Sequence, residues 1–357
     1  MPLELVRRPD ISDGGRAVTV SQAHAGSSGA IFTTRHGLLV KSDIFIGATR
    51  LKQQGLWYWG LEGKSAAKFP GVAGFKWSPV SAQLEMEYYG SRELSGLLLD
   101  AKCNFPAAQR VLEDVLNFLN SVLYANREIR NSEKFWLDLF HQAESRLEEA
   151  ESKGDPLFRM ALRVPFLNGK QIATASDLIR FASTFVRSWS KTMFVRAHGD
   201  VHTGNILISK ENDFRLIDPR GLFFGDELWT SVIYDWGKLL HDLHGRYSMI
   251  RAGMFALAHR NEQSMDISVL RNDSYNRYSG LLSIFRRWLA ENGFDRNEIA
   301  DAFLAEGLLI MSLLPFHIRF PRRAAAFAAI GRISLSRWIE WAESGRNADF
   351  LFDELNV

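Results

Sequence analysis

The sequence predicts an α+β protein with a mainly β N-terminal part and a larger, mainly α C-terminal part. Three observations lead there. Up to about Tyr89 the chain runs in short alternating apolar and polar stretches broken by glycine and serine. From Ser91 onward apolar residues recur at three- and four-residue spacing behind capping residues. The chain has 357 residues, 46% of them hydrophobic, which is enough to bury a large core and to form two lobes. The boundary falls near Gly90, dividing residues 1–90 from 91–357.

In the first part, Arg16 to Val20 alternates as a strand and Ala30 to Thr34 resumes extended structure. Between them Gly26, Ser27, Ser28 and Gly29 form a flexible loop. Glycines there let the backbone approach a polyphosphate, and exposed amides with the two serine hydroxyls can bind its oxygens. A Gly-Ser turn between strands is also a plain connector. A strand then ends in Leu38-Leu39-Val40-Lys41, a helix covers Arg50 to Trp57, and Gln83 to Tyr89 is extended up to Gly90.

In the second part, Asn104 caps a helix with Pro106 in its first turn, and Val111, Val115, Phe118, Leu119 and Val122 make its apolar face. A second amphipathic helix runs from about Ser132 to Ser152, with Glu144, Glu148, Glu149 and Glu151 on a solvated face. Asn168-Gly169 joins two extended runs as a tight hairpin. Ser176 or Asp177 caps a helix reaching about Met193. The apolar stretch Leu308 to Leu314, flanked by Glu306 and broken by Pro315, reads as a buried helix rather than a membrane span. Internal repeats and low-complexity tracts are absent.

Composition narrows the function. With 43 basic and 41 acidic residues the net charge is +2, which carries no polyelectrolyte signature for nucleic acid or an anionic membrane. One cysteine, Cys103, rules out an intrachain disulfide and suits a reducing, cytoplasmic setting; it is expected to be a small buried residue. Met1 to Arg8 lacks the apolar run of a signal peptide.

The most informative segment runs from His198-Gly199-Asp200-Val201-His202-Thr203-Gly204-Asn205 to Asp218. Ile206-Leu207-Ile208 and Phe214-Arg215-Leu216-Ile217 flank the polar turn Lys210 to Asp213, so the segment reads as a hairpin that brings Asp218 back beside Asn205. Phosphoryl transfer needs a carboxylate to accept the proton of an attacking hydroxyl, here Asp200. It also needs hard oxygen ligands for magnesium, here Asn205 and Asp218. Short loops carry Asp and Asn for turn chemistry as well, but the joint pattern is specific.

At these residues the chain resembles the aminoglycoside phosphotransferase and choline kinase group, distant relatives of the protein kinases. The resemblance implies a two-lobed protein kinase-like fold, ATP with Mg2+, and transfer of phosphate to a hydroxyl of a small molecule. It implies Asp200 as catalytic base, with His198 opening the loop and His202 also fitting the pattern, and Asn205 and Asp218 as metal ligands. It further implies Lys41 on the nucleotide phosphates beneath the glycine loop, and Met86, Glu87 and Tyr89 around the adenine. Asp235, at the head of an amphipathic helix, is implied as a buried support of the catalytic loop. Two departures stand out. Asp218-Pro219-Arg220-Gly221 replaces Asp-Phe-Gly, which suits the small-molecule branch. Gln54 stands where the glutamate partner of Lys41 is expected; it can hydrogen-bond an ammonium without neutralising it, and Glu62 is a possible substitute.

The acceptor is less sharply written. Arg220, His317, Arg319, Arg322 and Arg323 form candidate sites for an anionic or polyhydroxylated group, because arginine forks match phosphate and carboxylate oxygens; a solvated loop face is the plainer reading. A basic rim argues against polycationic aminoglycosides. Choline asks for an aromatic cage, for which Trp229, Trp236 and Tyr247 are available. The run from Leu216 to Gly221 and on to Lys238 to Gly245 resembles bacterial members associated with surface sugar metabolism. A sugar or sugar-derivative hydroxyl is therefore expected. Alternatives are a nucleotide-binding pseudokinase with a regulatory role, a choline- or aminoglycoside-type kinase, and a protein kinase. The last lacks an Ala-Pro-Glu motif after the short stretch Gly221 to Asp235.

Overall fold

The computed structural model describes residues 24–25, 31–35, 37–186, 191–209, 212–224, 228–345 and 348–355. Contacts divide the chain into two compact units. The first comprises residues 1–93 with 198–200 and 205–229, and the second 94–197, 201–204 and 230–357.

The first unit is built on a five-stranded antiparallel sheet of β1 (His24–Ala25), β2 (Ile31–Arg35), β3 (Leu38–Ile44), β4 (Val72–Trp77) and β5 (Ser81–Glu87), in the order β1-β2-β3-β5-β4. β3 and β5 register Lys41 with Leu84 and Leu39 with Met86. α1 (Ile46–Trp59) packs on β3 and β5, burying Leu51, Gln54, Trp57 and Tyr58; the short α2 (Gly63–Ala66) follows it. Glu62 caps α2 in a reciprocal arrangement with Ser65. A second, three-stranded sheet joins β6 (Arg92–Glu93) to a hairpin formed by residues far along the chain. The expected strand at Arg16 to Val20 and the loop of Gly26, Ser27, Ser28 and Gly29 lie outside the described residues.

The second unit opens with α3 (Leu94–Leu99) and α4 (Phe105–Phe118), the latter capped by Asn104, whose side chain accepts the Ala107 N–H. A π-turn at Leu119–Leu123 leads to β7 (Arg127–Arg130), then α5 (Glu133–Lys153) and α6 (Pro156–Arg163). Asp155 caps α6 and Pro156 occupies its first turn, where a missing N–H costs nothing. β8 (Phe166–Leu167) and β9 (Lys170–Gln171) form the expected hairpin around Asn168-Gly169, both residues with positive φ. α7 (Ala175–Phe185) is capped by Thr174, two or three residues before the expected cap.

The helix expected to reach Met193 ends sooner. Thr192–Val195 is strand β10, which pairs with β7 on one side and β13 (Thr230–Ser231) on the other. A run of Thr, Met, Phe and Val with partners on both edges gains more from sheet pairing than from continuing a helix.

β11 (Ile206–Ile208) and β12 (Phe214–Leu216) return to the first unit and complete the sheet of β6. α8 (Val232–Leu243) is capped by Ser231 and almost wholly buried. After α9 (Tyr247–Arg251), β14 (Phe255–Asn261) and β15 (Ser264–Val269) pair with the β8–β9 hairpin. α10 (Asp273–Glu291), α11 (Arg296–Leu313) and α12 (Pro321–Ser344) close the chain's helical core.

α11 packs on α5, α8 and α12. It is long and apolar enough to cross a membrane, yet 83% of its most apolar window is buried inside the protein, as expected of a core helix. On α12, Arg332 is fully buried and its guanidinium donates to the carbonyls of Ala161, Val164, Ile172 and Ala173. Cys103 is half-exposed rather than buried.

Candidate functional site

The hairpin predicted between Asn205 and Asp218 forms, with Ile206 opposite Leu216 and Ile208 opposite Phe214. Its turn residue Asp213 is gripped by Lys68 and Arg215. Burial works against this carboxylate, but the two cations outweigh it and lower its pKa to about 2. Beyond the hairpin, Ile217 N–H donates to the Asn205 carbonyl at 3.0 Å, which carries the chain to Asp218 beside the loop it left.

Four predicted residues meet in the first unit as two linked pairs. Asn205 Nδ2 donates to Asp200 Oδ2 at 3.1 Å and to the Asp200 carbonyl at 2.9 Å. Lys41 Nζ lies 3.1 Å from Asp218 Oδ1, with side-chain exposures of 9% and 35%. Asp200 and Asp218 are half-buried, so both carboxylates keep access to a ligand. His198 is buried against Trp57 and Phe69, and its Nδ1 accepts the Asp200 N–H at 3.2 Å. Gly199 takes φ +81°, and a Cβ there would meet Phe223 and the Arg220 Cβ at 2.5 and 2.6 Å. Only glycine permits that turn.

Asp218 itself takes φ +57°, a left-handed conformation that is uncommon outside glycine. Helix α1 holds it there. Tyr58 Oη accepts the Asp218 N–H at 3.1 Å, and one turn earlier on the helix Gln54 Nε2 donates to the Pro219 carbonyl at 2.9 Å. Gly221, at φ +93°, lies so close to α1 that a Cβ would sit 2.6 Å from the Gln53 carbonyl carbon. Burial and the Asp218 charge push the Tyr58 hydroxyl well above its ordinary pKa, so it stays protonated. Gln54 is the partner of Lys41, with Oε1 3.0 Å from Nζ. Glu62 is not the substitute glutamate, being exposed and engaged in capping α2.

Met86 is buried in the sheet. The Glu87 carboxylate accepts the Gly71 N–H at 2.9 Å and the Tyr89 hydroxyl at 2.6 Å, bracing the strand where it leaves the sheet. Arg220 is half-buried, with its guanidinium 5.8 Å from the Phe223 ring centroid and its N–H donated to the His198 carbonyl.

In the second unit, His202 packs edge-on to His241 and Tyr247, and its Nδ1 accepts the Gly204 N–H at 3.1 Å. Thr203, in the same loop, gives its N–H to Asp242 Oδ2 at 2.9 Å and its hydroxyl to the same oxygen. Asp235 is fully buried and accepts the Tyr124 hydroxyl at 2.5 Å.

The acceptor candidates fare unevenly. His317 does not line a rim: it is buried between Tyr247 and Phe327. Burial, helped by the charges of Arg323 and Arg251, lowers its pKa to about 3. Arg322 and Arg323 lie in the first turn of α12 rather than in a loop. Arg319 and Arg322 are exposed, while Arg323 donates to the Arg251 carbonyl. Trp236 belongs to the core, packed by Tyr124, Phe285, Trp288 and Phe294, and offers no face to a choline.

Sequence reasoning missed Tyr58 and Asp242. Tyr58 follows Gln54 by one helical turn, so the face that carries Gln54 also carries Tyr58. Asp242 follows Asp235 by two turns on the same helix, a spacing that puts both on one face.

No protein-family model matches the chain, and no curated protein matches it in sequence. Solved structures match in shape. A glucosamine kinase aligns over 95% of this chain and 80% of its own at 14% identity and TM-score 0.50. A thermostable aminoglycoside phosphotransferase mutant in its apo form aligns over 96% and 94% at 10% identity and TM-score 0.52. The chain therefore has the two-lobed, protein kinase-like fold found in small-molecule kinases.

Proposed function

We propose that this protein is an ATP-dependent phosphotransferase that phosphorylates a hydroxyl of a small molecule, a sugar or sugar derivative. The observation that carries the reading is the placement of Lys41, Asp200, Asn205 and Asp218 within one unit, in the two hydrogen-bonded pairs described above. The donor set suits Mg2+: the Asn205 carbonyl and the Asp218 carboxylate are hard oxygen ligands, and Asp218 already faces a cation in Lys41. When bound, the metal neutralises charge on the transferring phosphate.

The chain's own groups do the rest. Lys41 steadies the nucleotide phosphates, while Met86, Glu87 and Tyr89 border the adenine. Asp200 accepts the proton of the acceptor hydroxyl as the oxygen attacks the terminal phosphorus. Its carboxylate is oriented for this by the Asn205 amide and its backbone by His198. His202, Thr203, Asp235 and Asp242 serve as scaffolding in the helical unit. Positioning and charge supply most of the rate.

One solved relative in fold is a glucosamine kinase, so amino sugars head the list of acceptors to try. The test is ADP formation with Mg2+ and ATP across a panel of neutral sugars, amino sugars, sugar acids, amino alcohols and aminoglycosides, with products identified by mass spectrometry. A phosphorylated sugar, made by the wild type and not by Asp200→Ala, is the expected result. Acceptor-independent ADP release that Asp200→Ala leaves unchanged sinks the reading. Nucleotide binding without turnover would move the assignment to a pseudokinase.

A further inference from the structure

Gln54 is 7% exposed and uses both ends of its amide: Oε1 receives the Lys41 ammonium at 3.0 Å and Nε2 reaches the Pro219 carbonyl at 2.9 Å. One residue thus joins the lysine on β3 to the backbone immediately after Asp218. A glutamate at this position can make the first contact but not the second, because an ionised carboxylate has no hydrogen to give and would face the Pro219 carbonyl oxygen to oxygen. Lys41 also reaches the Asp218 carboxylate at 3.1 Å, so the amide joins a lysine that is itself tied to the residue before Pro219.

We propose that Gln54 is a positioning residue that ties Lys41 to the Asp218-Pro219 backbone, and that the site is built around glutamine, so that glutamate impairs it. The functional meaning of this tie rests on the nucleotide-site reading above, but its physical content does not. The left-handed turn at Asp218 is held from α1 at two points, Tyr58 and Gln54, and glutamate or an apolar residue at 54 removes one of them.

The experiment compares the full-length wild type with Gln54→Glu and Gln54→Met, both matched to glutamine in length so that neither opens a cavity. Two readouts need neither ATP nor turnover. The first is the rate at which limiting acetic anhydride acylates Lys41 in the folded protein, read by peptide mass spectrometry. The second is amide hydrogen exchange in peptides spanning residues 216–222, which contain the Asp218 and Arg220 N–H groups. Gln54→Met should label Lys41 at least threefold faster than the wild type, whereas Gln54→Glu should not label faster. Exchange should accelerate about tenfold in both variants. A role in packing alone would leave the methionine variant like the wild type in both readouts. The proposal is overturned if Gln54→Glu exchanges like the wild type, or if Gln54→Met labels like the wild type. Absence of phosphate transfer by the wild type would count against the kinase reading alone and leave both readouts standing.

Discussion

Asn205 turns its amide NH2 onto Asp200, 3.1 Å from Oδ2 and 2.9 Å from the backbone oxygen. Both partners are acceptors, so only the NH2 end can face them, and the carbonyl Oδ1 is left on the other edge of the amide. Replacing Asn205 by Asp sets carboxylate against carboxylate. Phosphate transfer by Asn205→Asp is expected to fall at least 100-fold, on the scale of losing a preorganised polar contact at a reacting centre. Initial rates of ADP formation at saturating Mg2+ and ATP measure this.

Asp200→Ala removes the group assigned to accept the acceptor's proton. The expected loss in kcat is about 10²–10⁴-fold, the usual worth of a general base. ATP affinity, measured by calorimetric titration, should change little because the nucleotide contacts assigned here lie at other residues.

Tyr58→Phe deletes the oxygen that accepts the Asp218 N–H and leaves that donor without its partner in a half-buried turn. An unsatisfied buried group costs about 1–3 kcal/mol. The variant should unfold at lower denaturant concentration and need more Mg2+ for half-maximal activity, since the turn that aims Asp218 is loosened.

Arg332→Leu strands the carbonyls of Ala161, Val164, Ile172 and Ala173, all of which the guanidinium now satisfies. Burial lowers this guanidinium's pKa only to about 10, so it is a cation at neutral pH. The expected destabilisation is about 3 kcal/mol or more, from losing several charge-assisted hydrogen bonds at once. Chemical denaturation checks it; a change within error would contradict the role of Arg332 as the pin for α6 and the β8–β9 hairpin.

His317 is held neutral by burial, with Arg323 and Arg251 adding to the effect, down to about pH 3. Between pH 6.5 and 3 the unfolded chain takes up a proton on this ring that the folded chain refuses, so stability falls as pH falls through that window. At pH 5 the cost is about 2 kcal/mol relative to neutral pH. His317→Phe, which keeps a ring between Tyr247 and Phe327, should flatten the dependence of unfolding free energy on pH below 6.5. An unchanged slope would show that the ring already titrates near its ordinary value in the folded state.

The strand-to-helix division and most elements were legible because they are local. Asn104, Asp155 and Asn168-Gly169 announce their cap or turn by chemistry within a few residues. The hairpin from Ile206 to Leu216 is a pattern of the same kind. Thr192–Val195 misled because its strand state depends on β7 and β13, distant partners that a helical prefix hides. The pairing of Lys41 with Gln54 was anticipated through the kinase resemblance. The second hydrogen bond of Gln54, and the Tyr58 hydroxyl on Asp218, depend on backbone groups after residue 217 that carry no sequence signal. His317 looked like part of a basic rim because arginines surround it in sequence; its actual neighbours, Tyr247 and Phe327, are remote or one helix along.

The first unit recruits residues 198–200 and 205–229 across more than a hundred intervening positions, and among the described residues β6 pairs with β11 alone. During synthesis the N-terminal sheet can gather early, but its second sheet has to wait until the chain beyond residue 216 has left the ribosome. A fragment ending at residue 93 would present β6 with an open edge and α1 with no Asp218 turn to clasp. Neither half is therefore a cassette that can be cut out and transplanted; the polypeptide has to be complete through its middle before its beginning is finished.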